Sequence, residues 1–106
     1  MNEKREAICR LMDFYADVLS QRQRDAIELY YYEDLSLAET AENLGITRQG
    51  VRDAIKHGEE ALFSLESTLG LMKKSRAVSD AARRIIDLTD NNQIKSLASD
   101  IIARQA

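Results

Sequence analysis

The stretch SLAETAENLGITRQGVRDAIKHG, residues 36–58, decides the fold of this chain. Ala41 supplies the small side chain that two helices need where they cross closely. Gly45, four residues later, tolerates the left-handed backbone of a tight turn. Val51, six residues after the glycine, supplies a branched side chain for burial against the first helix. Because these requirements are met together, the stretch predicts the helix-turn-helix arrangement.

Capping signals outline the helices around this stretch. Ser20 and Ser36 are each followed, three residues later, by a Gln or Glu, which is the spacing of a capping box. The boxes predict helices over about 21–33 and from Ser36 to about residue 43. Thr47 is placed to cap a fourth helix after the turn.

An amphipathic helix is predicted over residues 3–18. Its apolar residues recur at spacings of three and four and form one face. They are Ile8, Leu11, Met12, Tyr15, Val18 and Leu19.

The fourth helix carries a heptad pattern of alternating four- and three-residue steps. Its members are Val51, Ile55, Gly58, Leu62, Leu65, Leu69 and Met72. Gly58 and Gly70 weaken a helix by about 1 kcal/mol each relative to alanine, which leaves a bend at either one open. The members from Leu62 onward need a further apolar surface. Other helices of the same chain or a second subunit could provide it.

The whole chain is predicted to be all-α, because it has 106 residues, no proline and only four glycines. Residues 1–72 form a helix-turn-helix domain with N-terminal helices, a three- or four-helix core and a long fourth helix. Residues 73–106 form a C-terminal helical hairpin from helices over about 76–89 and 92–104. We expect this hairpin to serve packing or dimerisation, and a dimer in solution to form through Leu62, Leu65, Leu69 and the hairpin.

Charge is unevenly distributed along the chain, whose net charge is −3. Residues 1–45 hold five Lys/Arg against ten Asp/Glu, residues 46–58 hold three against one, and residues 59–106 hold seven of each. A protein that coats nucleic acid without selectivity would be basic throughout. The pattern therefore restricts phosphate contact to one short helix. A second basic cluster, at Lys73, Lys74 and Arg76, could assist.

Enzymatic chemistry has little support in the sequence. There is one His and one Cys, no glycine-rich phosphate loop and no metal-ligand spacing, so we expect no catalytic site, metal or cofactor. His57 is interpreted as structural or solvated. The consecutive tyrosines 30–32 suggest base stacking, but neighbouring helix positions point in different directions, which favours one or two of them in the core. The unpaired Cys9, with no apolar run for a signal peptide or membrane span, points to the cytoplasm.

The outward face of the fourth helix carries the candidate nucleic-acid contacts. They are Thr47, Arg48, Gln49, Arg52 and Lys56. Arginine suits guanine edges or phosphate, glutamine suits adenine, and a threonine at a helix start can hold a phosphate. Asp53 on the same face can accept a hydrogen bond from cytosine or pair with neighbouring protein groups. The alternative is that these cations merely solvate an exposed helix.

A family resemblance extends the motif. The run LSQRQRDAIELYYYEDLSLAETAENLGITRQGVRDAIKHGEEAL is similar to region four of bacterial sigma factors. The combination of LMDFYADVLSQRQRDAIELYYYEDLSLAE with TRQGVRDAIK resembles more closely the YlxM family of small helix-turn-helix proteins. The resemblance covers roughly residues 5–72.

That resemblance implies a bacterial, cytoplasmic protein that takes part in the signal recognition particle pathway. It implies no enzymatic site, and it maps the contact helix onto the five residues given above. The expected partners are DNA, with RNA as an alternative, the particle's GTPase or its RNA, and a second copy of the chain. A protein- or RNA-binding accessory factor without sequence-specific DNA binding is the alternative function. Glu59, Glu60 and Glu66 follow the contact helix where sigma factors carry more positive charge.

Overall fold

The computed structural model describes residues 2–105, which fold into helices joined by short turns. The α-helices are α1 (Glu3–Tyr15), α2 (Gln21–Ile27), α3 (Leu37–Leu44), α4 (Arg48–Leu69), α5 (Leu71–Leu88) and α6 (Asn92–Ala103). A 3-10 turn, Ala16–Val18, follows α1, and a π-helical turn, Glu28–Tyr32, follows α2. The chain divides into two compact units after Leu69. The predicted all-α class is confirmed, with helices alone in the described range.

The predicted caps and turn are formed by local hydrogen bonds. Ser20 and Ser36 each close a capping box with the side chain three residues ahead. Gly45 adopts a left-handed backbone with φ of 68°, and its N–H closes the end of α3. Thr47 Oγ1 accepts from the Gly50 N–H at 2.9 Å and so caps α4. The helix-turn-helix prediction is confirmed, because each of these interactions fixes a helix end where the sequence indicated it.

The core of the first unit is built around α4, which packs against α1, α2 and α3. Ala41 and Val51 are both buried, as the motif requires. From the N-terminal face, Ile8, Leu11, Met12, Tyr15 and Leu19 are buried. Val18 was expected among them and is 65% exposed. The expectation was wrong because α1 ends at Tyr15, and the 3-10 turn that follows does not keep the α-helical phase.

The tyrosine run lies in the π-helical turn that ends the second helical segment. The Glu33 N–H donates to the Glu28 carbonyl, five residues back, at 3.0 Å. Tyr31 is buried, whereas Tyr32 is 46% exposed. The prediction that one or two of the tyrosines belong to the core is confirmed for Tyr31. The π geometry itself was not predicted.

Arg5 of α1 supports the π-helical turn. Its Nε and Nη2 donate to the Tyr31 carbonyl at 2.8 and 2.5 Å, and Nη2 lies 3.2 Å from Asp34 Oδ1. Asp34 has a left-handed backbone with φ of 58°, which aspartate tolerates better than most residues. The guanidinium therefore satisfies a carbonyl that the end of the helix leaves without an intrahelical donor.

The long fourth helix is continuous through Gly58 and ends at Leu69. Gly70, with φ of 63°, interrupts the heptad pattern before Met72, and α5 begins at Leu71. The expected start of the next helix at about residue 76 was therefore wrong, and the basic cluster lies inside α5. Leu62 is fully buried, so its apolar surface is covered within the chain, while Leu69 is 46% exposed. The expected place of Leu62 in a dimer interface was therefore wrong.

The second unit is a pair of helices, α5 and α6, packed against each other. Its buried residues are small: Ser79, Ala82 and Ala98. Ile86 and Ile102 are half-buried, and its other large aliphatic side chains remain exposed. They are Leu71, Val78, Ile85, Leu88, Ile94, Leu97 and Ile101. The hairpin thus has little apolar core of its own.

The raised pKa of Tyr31 predicts that the folded protein loses stability at alkaline pH. Burial, its hydrogen bond to the Glu59 carboxylate and the charge of that carboxylate raise the pKa of Tyr31 above the ordinary 10.0. The folded state holds the phenolic proton of Tyr31 more tightly than the unfolded state does. The contribution of Tyr31 to the free energy of unfolding is therefore complete below pH 10 and decreases as the pH rises above it. Urea unfolding at a series of pH values measures the slope.

The phenylalanine variants test the assignment. Tyr31→Phe should lower the free energy of unfolding by about 2 kcal/mol at neutral pH, because it removes a hydrogen bond to a charged group. It should also remove the Tyr31 share of the alkaline slope. Tyr30→Phe is the matched control and should keep that slope. An unchanged slope in Tyr31→Phe would contradict this account.

Candidate nucleic-acid interface

The helix-turn-helix presents the outward face of α4 to solvent. All five predicted contact residues are exposed: Thr47, Arg48, Gln49, Arg52 and Lys56. Burial of Val51, Ala54 and Ile55 on the other side of the helix fixes this orientation. Residues four apart lie on one side of an α-helix, so Arg48, Arg52 and Lys56 form a stripe, which we call the basic stripe.

The cations of the first unit differ in whether they are already paired. Four of them make ion pairs: Lys4 with Glu59, Arg5 with Asp34, Arg10 with Glu6, and Arg24 with Asp17. Within residues 2–105, none of the three side chains of the basic stripe makes an ion pair. The basic stripe can therefore bind phosphate without first breaking an internal pair.

Thr47 combines two roles at the start of α4. Its oxygen accepts from the Gly50 N–H at 2.9 Å, which is the capping bond. The hydroxyl hydrogen is not used in that bond and can donate to a phosphate oxygen. This position, at the positive end of a 22-residue helix, favours an anion.

Gln49 and Asp53 are joined across one turn of α4. Gln49 Nε2 donates to Asp53 Oδ1 at 3.0 Å. A bidentate contact with adenine needs both the carbonyl oxygen and the NH2 group of the glutamine side-chain amide. The hydrogen bond to Asp53 therefore competes with a contact between Gln49 and a base. It also engages one carboxylate oxygen of Asp53, the acidic residue on this face.

The sequence did not indicate which other residues lie beside the basic stripe. Lys4 of α1 and Tyr30 of the π-helical turn line the same groove as Arg52 and Lys56. In the sequence they lie more than twenty residues from Arg52 and Lys56, and no local pattern connects them. The basic cluster of α5 belongs to the other compact unit.

In the described range, no group of three or more His, Cys, Asp or Glu side chains is arranged to hold a metal ion. His57 is exposed on α4. Among residues 2–105, no helix is long and apolar enough to cross a membrane.

Comparison with known proteins identifies the family. The model of the family described as "Putative helix-turn-helix protein, YlxM / p13 like" matches residues 2–101. This chain belongs to the YlxM/p13-like family. The match includes α5 and most of α6, beyond the residues on which the sequence resemblance rested.

Relatives in this family come from several bacteria and carry the name UPF0122 protein. One from Desulforamulus reducens is 45% identical over 80 residues, which are 76% of this chain and 68% of the relative. One from Clostridium kluyveri is 38% identical over 89 residues, 84% of this chain and 80% of the relative. One from Clostridium botulinum is 47% identical over 73 residues, 69% of this chain and 67% of the relative.

Proposed function

We propose that this YlxM/p13-like protein is a cytoplasmic regulatory protein that binds DNA through Thr47, Arg48, Gln49, Arg52 and Lys56. The unpaired basic stripe carries the proposal. Its cations are exposed on a helix whose opposite side is anchored in the core. In a helix-turn-helix protein, that helix enters the major groove, where arginine can read guanine edges and lysine can contact phosphate.

The proposal includes a role in the signal recognition particle pathway. It follows from the resemblance of the combined sequence pattern to the YlxM family, whose genes lie beside those of the particle's GTPase or its receptor. A DNA-binding regulator of that pathway would control expression of those components.

A second candidate function is supported by the hydrogen bond between Gln49 and Asp53. The bond engages Gln49, the side chain that would contact adenine, and its acceptor is the carboxylate of Asp53 on the contact face. This favours an accessory factor that binds the particle's RNA or its GTPase without recognising a DNA sequence. A-form RNA is bound mainly through shape and phosphates, which demands less of Gln49.

Fluorescence anisotropy with three labelled probes separates the two functions. The probes are a random DNA duplex, the duplex upstream of the protein's own gene, and signal recognition particle RNA, each at ~50 and ~150 mM salt. Preference for the upstream duplex, with affinity falling as salt rises, supports the DNA-binding regulator. Preference for the RNA supports the accessory factor. Absence of binding to all three probes rejects nucleic-acid binding, and the GTPase becomes the next probe.

We also propose that the second unit forms a homodimer through the exposed aliphatic side chains of α5 and α6. Val78 and Ile85 are seven residues apart, as are Ile94 and Ile101, which is the repeat of helices packed in bundles. Helical geometry puts both pairs on one face of the antiparallel hairpin. A second hairpin would cover that face as a four-helix bundle, in which the same surface serves both copies.

Burial of exposed aliphatic surface would favour this dimer. Seven aliphatic side chains, each 39–74% exposed, are available in each copy. Covering them in two copies would favour association by on the order of 10 kcal/mol or more, before the entropy lost when two molecules associate, about 4–15 kcal/mol, is subtracted.

Light scattering after gel filtration tests the dimer. The wild-type chain should elute with twice its monomer mass at about 100 µM, and Ile85→Lys with Ile101→Lys should shift it to the monomer, because two charges would be buried at the interface. Asp87→Lys with Asp100→Lys is the matched control on the same two helices and should remain dimeric. A wild-type monomer at that concentration rejects the proposal.

A further inference from the structure

A groove beside the basic stripe contains one charged group, Lys4, that the contact helix does not supply. It measures about 330 Å³ and lies within the first unit. α4 contributes Arg52, Lys56 and Glu59, α1 contributes Lys4, the π-helical turn contributes Tyr30, and α3 contributes its first residue, Leu37. Three cations therefore meet one carboxylate, and the groove is electropositive within a unit that carries an excess of acid.

The carboxylate of the groove is held away from solvent by two partners. Tyr31 OH donates to Glu59 Oε2, and Lys4 Nζ lies 3.1 Å from Glu59 Oε1. The Glu59 side chain is 13% exposed, whereas that of Lys4 is 58% exposed. Glu59 thus fixes the position of Lys4, and the ammonium retains donors that point toward solvent because it has three N–H groups.

We propose that this groove binds one backbone phosphate of the nucleic acid that the basic stripe contacts, with Lys4 and Lys56 as its charged ligands. The inference rests on the proposed function and adds a contact from outside the helix-turn-helix. Tyr30 makes no hydrogen bond through its hydroxyl in the described part of the chain, and tyrosine is a common phosphate donor. The phosphate would set the register of α4 on the duplex.

The π-helical turn gives the groove its shape. It rotates Tyr31 inward to reach Glu59 and leaves Tyr30 at the groove, with the two rings edge-to-face at a centroid distance of 5.0 Å. Arg5 holds the carbonyl of Tyr31 from the same helix that carries Lys4. The backbone segments that carry Lys4 and Lys56 are therefore held by packed and hydrogen-bonded groups.

The test uses the slope of log affinity against log salt for the full chain with a random DNA duplex. Loss of one phosphate contact lowers this slope by about 0.9. Lys4→Gln should show that decrease and a severalfold weaker affinity at ~50 mM salt. Arg10→Gln is the matched control, since Arg10 is an exposed cation of α1 that does not line the groove, and it should leave the slope unchanged.

A second pair of variants distinguishes a direct contact of Lys4 with phosphate from an indirect effect of breaking the Lys4–Glu59 ion pair. Glu59→Gln removes the carboxylate and releases Lys4, so it should bind more tightly than the wild type. Lys4→Gln in the Glu59→Gln background should again lower the slope by about 0.9. An unchanged slope in that background overturns the phosphate site while leaving the basic stripe intact. Failure of the wild type to bind any nucleic acid would instead reject the proposed function.

Discussion

Replacing Arg48 and Arg52 together by alanine should weaken binding to the preferred nucleic acid by about 30-fold or more at low salt. Each arginine that contacts a guanine edge or phosphate contributes about 1–3 kcal/mol, and every 1.4 kcal/mol changes the affinity tenfold. Within the described residues neither side chain makes an ion pair, so the double variant should unfold at the same denaturant concentration as the wild type. Anisotropy titrations with the three probes measure the effect.

The matched control is the double variant Arg83→Ala, Arg84→Ala. It removes the same charge from two exposed arginines of α5, in the other compact unit. Its affinity should change by less than about threefold, because only long-range attraction is reduced. If the Arg48, Arg52 variant binds every probe as the wild type does, α4 is not the contact helix.

Substitution of Gly58 by valine should destabilise the first unit by about 3 kcal/mol, even though valine forms helices more readily than glycine. A Cβ at this position would lie 2.7 Å from Ile27 Cδ1 and 3.5 Å from Gln23 Cβ. Ile27 is fully buried, so its Cδ1 methyl group can move only by displacing its neighbours in the core. The added branches would force α2 and α4 apart. Urea unfolding followed by circular dichroism measures the change.

Two further variants identify the cause. Ser64→Val, at an exposed position of the same helix, changes helix propensity without meeting another helix and should cost less than about 0.5 kcal/mol. Gly58→Ala combined with Ile27→Val should be more stable than the sum of the two single changes by about 1 kcal/mol, because the second change removes the methyl group that the new Cβ meets. If the effects of the two single changes on the free energy of unfolding are strictly additive, the contact between residue 58 and Ile27 is not the cause of the destabilisation.

Several features could be derived from the sequence because each depends on residues within a few positions of one another. The capping boxes at Ser20 and Ser36, the left-handed turn at Gly45 and the cap at Thr47 are examples. The hydrogen bonds that define them join groups that the chain holds together before any tertiary packing. The same local logic predicted an exposed face of α4 opposite Val51.

Tertiary structure alone decided the groups that meet from distant parts of the chain. In the sequence, Gly58 indicated only a weakened helix. The close approach of Ile27 in the structure shows why a side chain is excluded at this position. The exposure of Val18 and the inward turn of Tyr31 depend on departures from the α-helical phase that periodicity does not record. Lys4 lies beside Lys56 because α1 packs against α4. Such contacts depend on the orientation of whole helices, which is set by the sum of all packed surfaces.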